Sequence, residues 1–163
     1  MFVQIDRSGN VIWQAQIPRP AKLKKRCRGA DIEYDPYRDT IRVLIPFDSI
    51  IEINRRGSSK ILVEDYGLSH DFDSRRNGNI MYTRGWSRKS DTEVIEEDMN
   101  SQTVFEWIGS NIISEEDWHE HAKIGSWPEK WNKRLEIASS RGKDWLHVNS
   151  VSALSDDTYL ISV

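Results

Sequence analysis

Apolar and polar residues alternate along short runs of this chain, and each run ends in a polar turn. Phe2-Val3-Gln4-Ile5-Asp6 is followed by Arg7-Ser8-Gly9-Asn10 and then Val11-Ile12-Trp13. The pattern returns as Ile50-Ile51-Glu52-Ile53-Asn54, turn Arg55-Arg56-Gly57, then Lys60-Ile61-Leu62-Val63. It returns again as Glu93-Val94-Ile95-Glu96-Glu97-Asp98, turn Met99-Asn100-Ser101-Gln102, then Thr103-Val104-Phe105-Glu106-Trp107. Period-two alternation puts successive side chains on opposite faces of a strand, and a polar turn between two such runs predicts a hairpin. In each copy an Asp or Asn closes the first strand.

A second unit lies between these hairpins. It reads Ala30-Asp31-Ile32-Glu33-Tyr34-Asp35 followed by Asp39-Thr40-Ile41-Arg42-Val43-Leu44. It recurs as His70-Asp71-Phe72-Asp73-Ser74 with Asn77-Gly78-Asn79-Ile80-Met81-Tyr82, and as His147-Val148-Asn149-Ser150-Val151 with Asp156-Asp157-Thr158-Tyr159-Leu160-Ile161. The two units alternate with a period of roughly 40–48 residues and four strands, which is the spacing of β-propeller blades. The expected fold is therefore all-β: propeller blades of four antiparallel strands, about three in number, with a short helical insertion. The expected division is a half blade (1–20), a blade (25–66), a second blade (67–110), the insertion (111–142) and a further half blade (143–163). An open stack of four-stranded sheets is the structural alternative. In the insertion, Ser114-Glu115-Glu116-Asp117 has the form of a capping box, and Pro128 can open a second short helix. Two blades and two halves do not close a ring, so the chain is expected to be a fragment or part of an assembly.

Composition narrows the function. The chain has 163 residues, 30% of them charged, and a formal net charge of -3. That balance offers no basic stripe for nucleic acid, and none is expected as a partner. The one basic run, Lys22-Leu23-Lys24-Lys25-Arg26-Cys27-Arg28, reads as a solvated loop. Cys27 is the only cysteine, so neither an intrachain disulfide nor a thiolate metal cluster can form. No apolar run approaches the roughly 18 residues of a membrane span. His119 and His121 lie two residues apart, which on a helix is not one face, and no metal is expected there. No cofactor is expected.

His147 and Asn149 are the candidate chemistry. Residues i and i+2 of a strand face one side, so a proton-transfer group would sit beside a neutral hydrogen-bond donor. The repeat matches His147 to Ala30 and His70, at the start of each blade's innermost strand. Matching positions of different blades gather around one mouth of a propeller. His70 is thus a further candidate, although it could instead bond an Asp of a neighbouring blade. Asp71 reads as structural, and Trp13, Trp107 and Trp145 read as blade core. Trp86, Trp118, Trp127 and Trp131 could line an aryl pocket, with packing the better reading.

Asp144-Trp145-Leu146-His147-Val148-Asn149-Ser150-Val151 followed by Thr158-Tyr159-Leu160-Ile161-Ser162 resembles the aryl sulfotransferase family of β-propellers, the archaeal-type members above all. Gly29-Ala30-Asp31-Ile32-Glu33-Tyr34-Asp35-Pro36 is similar to a blade opening of that family, with Ala30 in place of histidine. Ser69-His70-Asp71 with Asn77-Gly78-Asn79-Ile80 is similar to another of its elements. The resemblance implies transfer of a sulfuryl group between phenolic compounds, independent of PAPS, through a sulfated histidine. It implies catalytic roles for His147, Asn149 and His70, with small phenolic donors and acceptors as partners and work outside the cytoplasm. The family's strand-closing arginine would fall past Val163 and its nucleophilic histidine on a later blade, so this chain is expected to be inactive alone. The alternative is a non-catalytic propeller module that binds a partner at the cell surface. Oligomeric state is left open.

Overall fold

The computed structural model describes residues 1–17, 31–85, 92–109, 148–155 and 158–162. The predicted helical insertion, the basic run with Cys27, His119, His121, Trp86, Trp118, Trp127, Trp131, Trp145 and His147 all lie outside the described residues.

Twelve strands are described, in chain order β1 (Phe2–Ile5), β2 (Val11–Ala15), β3 (Asp31–Asp35), β4 (Thr40–Ile45), β5 (Ser49–Asn54), β6 (Ser59–Glu64), β7 (Leu68–Ser74), β8 (Ile80–Arg84), β9 (Val94–Glu97), β10 (Thr103–Trp107), β11 (Ser150–Ser155) and β12 (Thr158–Ser162). They form two four-stranded antiparallel sheets, β3-β4-β5-β6 and β7-β8-β9-β10, and two hairpins, β1-β2 and β11-β12. Each sheet is a meander in which every strand pairs with its neighbour in sequence. This is the all-β, four-strand blade that the alternation predicts.

The chain divides into two compact units, residues 1–68 and 69–163. In the first, the sheet β3–β6 presents Val43, Ile45, Ile51 and Ile53 to the hairpin β1-β2, whose Ala15, Phe2 and Trp13 pack on them. Val43 faces Ile51 and Ile41 faces Ile53 across the β4-β5 pairing, so these side chains share one side of the sheet. In the second unit, Met81 and Val94 of the sheet β7–β10 pack with Val148 and Val151, and Phe105, Trp107, Ala153, Tyr159 and Ile161 surround them. Trp13 and Trp107, read from the sequence as blade core, are partly buried and packed against these clusters.

One turn recurs. Asp6 Oδ1 accepts the backbone N–H groups of Ser8 and Asn10. Asn54 Oδ1 accepts those of Arg56 and Ser58, and Asp98 Oδ1 those of Asn100 and Gln102. The side chain mimics a backbone acceptor and pins the loop, which is why Asp or Asn closes each of these strands. Hydrogen bonding to the loop holds the Asp6 and Asp98 carboxyls below the ordinary carboxylate range. The next-to-last loop position is left-handed in all three copies: Gly9 (φ 84°), Gly57 (φ 80°) and Ser101 (φ 59°).

Buried charge is handled in two ways. Arg42, 4% exposed, lies 3.2 Å from both Asp35 and Glu52. Glu96 occupies the position in β9 that Glu52 holds in β5, each facing the strand before it, Met81 and Arg42 respectively. With Met81 opposite, Glu96 draws on other groups: the Asn79 amide (2.7 Å), Tyr159 Oη (3.3 Å) and the Arg75 guanidinium (3.7 Å). Burial, then the nearby Glu96 charge, pushes the Tyr159 hydroxyl above its ordinary value.

The shared turn has a signed test. A Cβ at Gly57 meets nothing within 4 Å, so only its positive φ opposes a side chain. Gly57→Ala is expected to destabilise the fold by about 1–2 kcal/mol. Ser101→Gly, at the matching position, is expected to stabilise it by a few tenths to about 1 kcal/mol once the added freedom of the unfolded chain is subtracted. Urea denaturation of both variants checks the opposite signs; equal signs would show that the turn conformation does not set the energy.

Candidate functional site

The second unit brings two innermost strands side by side. Asp71 and Asp73 alternate with Phe72 on β7, so their side chains leave the same face. Asp71 Oδ2 accepts the Val151 N–H at 2.8 Å, and Asp73 Oδ2 accepts the Ala153 N–H at 2.6 Å. The hydroxyl of Ser152 also approaches Asp73, at 3.5 Å. Both chains advance by two residues between the contacts, so β7 and β11 run parallel to each other. Strand β11 pairs with β12 alone among the described residues, and the two carboxylates satisfy the N–H groups that it does not spend there. Hydrogen bonds to an ionised acceptor are about twice as strong as neutral ones. Asp71 is therefore structural, as its sequence context predicts.

The clamp has a consequence for the candidate residues. His70 immediately precedes Asp71, and Asn149 lies two residues before Val151. Because the strands are parallel, His70 and Asn149 stand at the same end of the pair. Both are exposed. The His70 backbone N–H donates to Thr83 Oγ1 at 3.0 Å, and the same hydroxyl accepts from the Asp71 N–H at 3.0 Å. The Asn149 N–H donates to the Ser162 carbonyl at 2.8 Å. An imidazole and a carboxamide placed at that shared end can donate hydrogen bonds to an oxyanion.

The observed register changes one expectation. Asp31 faces Leu44, four residues beyond Thr40, and Ser150 faces Ser162, four residues beyond Thr158. Ser150 is thus the counterpart of Asp31, and Asn149, not His147, takes the position that the repeat assigns beside Ala30 and His70. Two residues separate the paired Ser155 and Thr158 where four separate Asp35 and Thr40, and this outweighs the one extra residue of the bulge between Ala153 and Ser155. His147 lies two residues earlier, outside the described residues.

Other elements of the site went unseen in sequence. Nothing local marks Asp71 and Asp73 as partners of backbone groups 80 residues away. A possible signal was the Asp-x-Asp spacing on an inner strand, which repeats as Asp31-x-Glu33. Among the described residues, no cluster of three or more His, Cys, Asp or Glu side chains could hold a metal ion. No described helix is long and apolar enough to cross a membrane.

Comparison with known proteins agrees with the geometry. The family model described as Arylsulfotransferase (ASST) matches residues 1–163, the length of the chain. No curated protein matches it.

The clamp predicts a measurable cost. Asp71→Ala leaves the 4%-exposed Val151 without its acceptor and is expected to destabilise the second unit by about 1.5–3 kcal/mol. Amide exchange at Val151 and Ala153 should quicken, while exchange in β3–β6 stays at the parent rate. Unchanged exchange at Val151 would remove the carboxylate from this role.

Proposed function

Because the chain belongs to the arylsulfotransferase family, we propose that its second unit holds an aryl sulfate at the common end of β7 and β11. In this reading His147, Asn149 and His70 are the catalytic group, and transfer between phenolic compounds runs without PAPS. The observation that carries the reading is the parallel placement of β7 and β11, with His70 and Asn149 at one end. The family assignment supplies the chemistry: a sulfuryl group moving from one phenolic oxygen to another.

A transferring sulfuryl group spreads negative charge over its oxygens, much as a phosphoryl group does. Catalysis then rests on positioning and on donors aimed at those oxygens. The Asn149 amide is a neutral donor that needs no change of protonation to act. An imidazole near neutral pH can donate a proton to the departing phenolate, or a hydrogen bond to the sulfate oxygens. The bond that breaks joins sulfur to the donor's phenolic oxygen; the bond that forms joins sulfur to the attacking nucleophile. In the family the nucleophile is a histidine on another blade, and no residue of this chain is matched to it. The chain by itself thus supplies the donors of the site and not the attacking group.

The test uses the chain with 4-nitrophenyl sulfate. Binding is expected by calorimetry or by NMR shifts at His70 and Asn149. Asn149→Ala or His147→Ala should weaken it by about tenfold, or ~1.4 kcal/mol, with the far-ultraviolet circular dichroism unchanged. Absence of binding by the parent chain overturns the proposal. Nitrophenolate release by the isolated chain is not expected; steady release would show that a nucleophile lies within these residues.

A further inference from the structure

Threonine is a common strand residue, but Thr83 spends its hydroxyl on the backbone of the neighbouring strand. Thr83 is fully buried in β8. Its Oγ1 accepts the backbone N–H groups of both His70 and Asp71, each at 3.0 Å. The same hydroxyl donates to the Asp71 carbonyl at 3.2 Å. A hydroxyl has one proton and two lone pairs. All three are used on two consecutive residues of β7, so the group cannot rotate without losing a bond.

Consecutive N–H groups of a regular strand point to opposite sides. One oxygen reaches both only where the strand departs from regular pairing, as at a bulge. Burial along β7 marks the same place. Strict alternation would group residue 70 with Leu68 and Phe72. Those two are buried, at 0% and 2% exposure, whereas His70 is exposed. Ser69, which alternation would set apart from Leu68, is buried beside it. The Thr83 hydroxyl thus sits where β7 breaks its alternation and brings a histidine to the surface.

The first sheet has leucine at this place. Met81 faces Glu96 as Arg42 faces Glu52, so Thr83, two residues on, matches Leu44. Leu44 faces Asp31, the counterpart of Asp71. It is as buried as Thr83 but offers no hydroxyl. In sequence, the residue before Asp31 is Ala30, where the second sheet has His70. At the corresponding step of the β11-β12 hairpin, the Asn149 N–H donates to a backbone carbonyl, that of Ser162. Of the two four-stranded sheets, the one with the side-chain acceptor is the one with the histidine.

We propose that Thr83 is a positioning residue. Its buried hydroxyl fixes the backbone of His70, and with it the point from which the imidazole meets an aryl sulfate. This role rests on His70 belonging to the sulfuryl-transfer site. Thr83→Val keeps a β-branched side chain of similar shape while taking the acceptor from two N–H groups. An effect on ligand binding that runs through His70 is then separable from a general loosening of the sheet.

The test joins amide exchange to a double-mutant cycle on affinity for 4-nitrophenyl sulfate. In the parent chain the His70 and Asp71 amides should exchange slowly, although His70 is exposed; fast exchange at both overturns the proposal and needs no variant. Thr83→Val is expected to weaken binding about fivefold, and Thr83→Ser, which keeps the oxygen, by less than about twofold. His70→Ala should weaken it about tenfold. Adding Thr83→Val to His70→Ala should cost less than about twofold more. A full further loss in that background shows a general structural support and overturns the positioning role. If Thr83→Val does not fold, Thr83→Ala takes its place in the cycle. Equal binding by the parent and Thr83→Val overturns the role of Thr83 and leaves the site reading intact. A parent chain that binds no aryl sulfate removes the site reading, and the role of Thr83 with it.

Discussion

A strand that pairs on one side only must still satisfy the backbone groups on its other side, and that constraint organises the second unit of this protein. Strand β11 meets it with Asp71 and Asp73, whose carboxylates take the N–H groups of Val151 and Ala153. The arrangement works because both partners repeat every two residues: alternate side chains on β7 and alternate amides on β11. It holds the strands parallel and in fixed register. It thereby determines which residues share the end where His70 and Asn149 lie. The aspartates beside the candidate site thus act through the backbone that they position.

The same economy appears in the loops and in the buried charges. Asp6, Asn54 and Asp98 each close a strand and pin the turn that follows, so one side chain supplies two acceptors to a loop that lacks ladder partners. Glu52 and Glu96 occupy matching places in their sheets but obtain their partners differently. Glu52 is met by the arginine opposite, Arg42. Glu96 faces Met81 and is met instead by Asn79, Tyr159 and Arg75. Tyr159 belongs to the hairpin β11-β12, so in the second unit the buried carboxylate also ties the hairpin to the sheet. A buried charge stripped of its partner costs roughly 3–5 kcal/mol, which makes such a tie specific as well as stabilising.

The hairpin β1-β2 is fixed to its sheet by a different device. Arg55, in the turn after β5, lies 2.8 Å from Asp39, over the Trp13 ring at 5.3 Å, and against Gln4. The Trp13 indole N–H donates to the Arg55 carbonyl at 3.1 Å. The Tyr34 hydroxyl and then Arg55 hold the Asp39 carboxyl below its usual range. These groups are largely exposed, so geometry and ring contact matter more here than net charge. The two units therefore solve the docking of a hairpin on a sheet with different chemistry on a common apolar pattern.

The sequence by itself determined the strands, the hairpins, their alternation in four-strand units and the family. Those follow from period-two side-chain placement and from turn residues that act within a few positions, and both are local. It also offered His70 and Asn149 as candidates. Tertiary structure alone decided their neighbourhood. The clamp joins residues about eighty positions apart, and no local pattern encodes such a pair. Only the observed register, with two residues between the paired Ser155 and Thr158 where Asp35 and Thr40 enclose four, made Asn149, rather than His147, the counterpart of His70. The length of one connection leaves composition and alternation almost untouched, yet it shifts what lies at the strand's end.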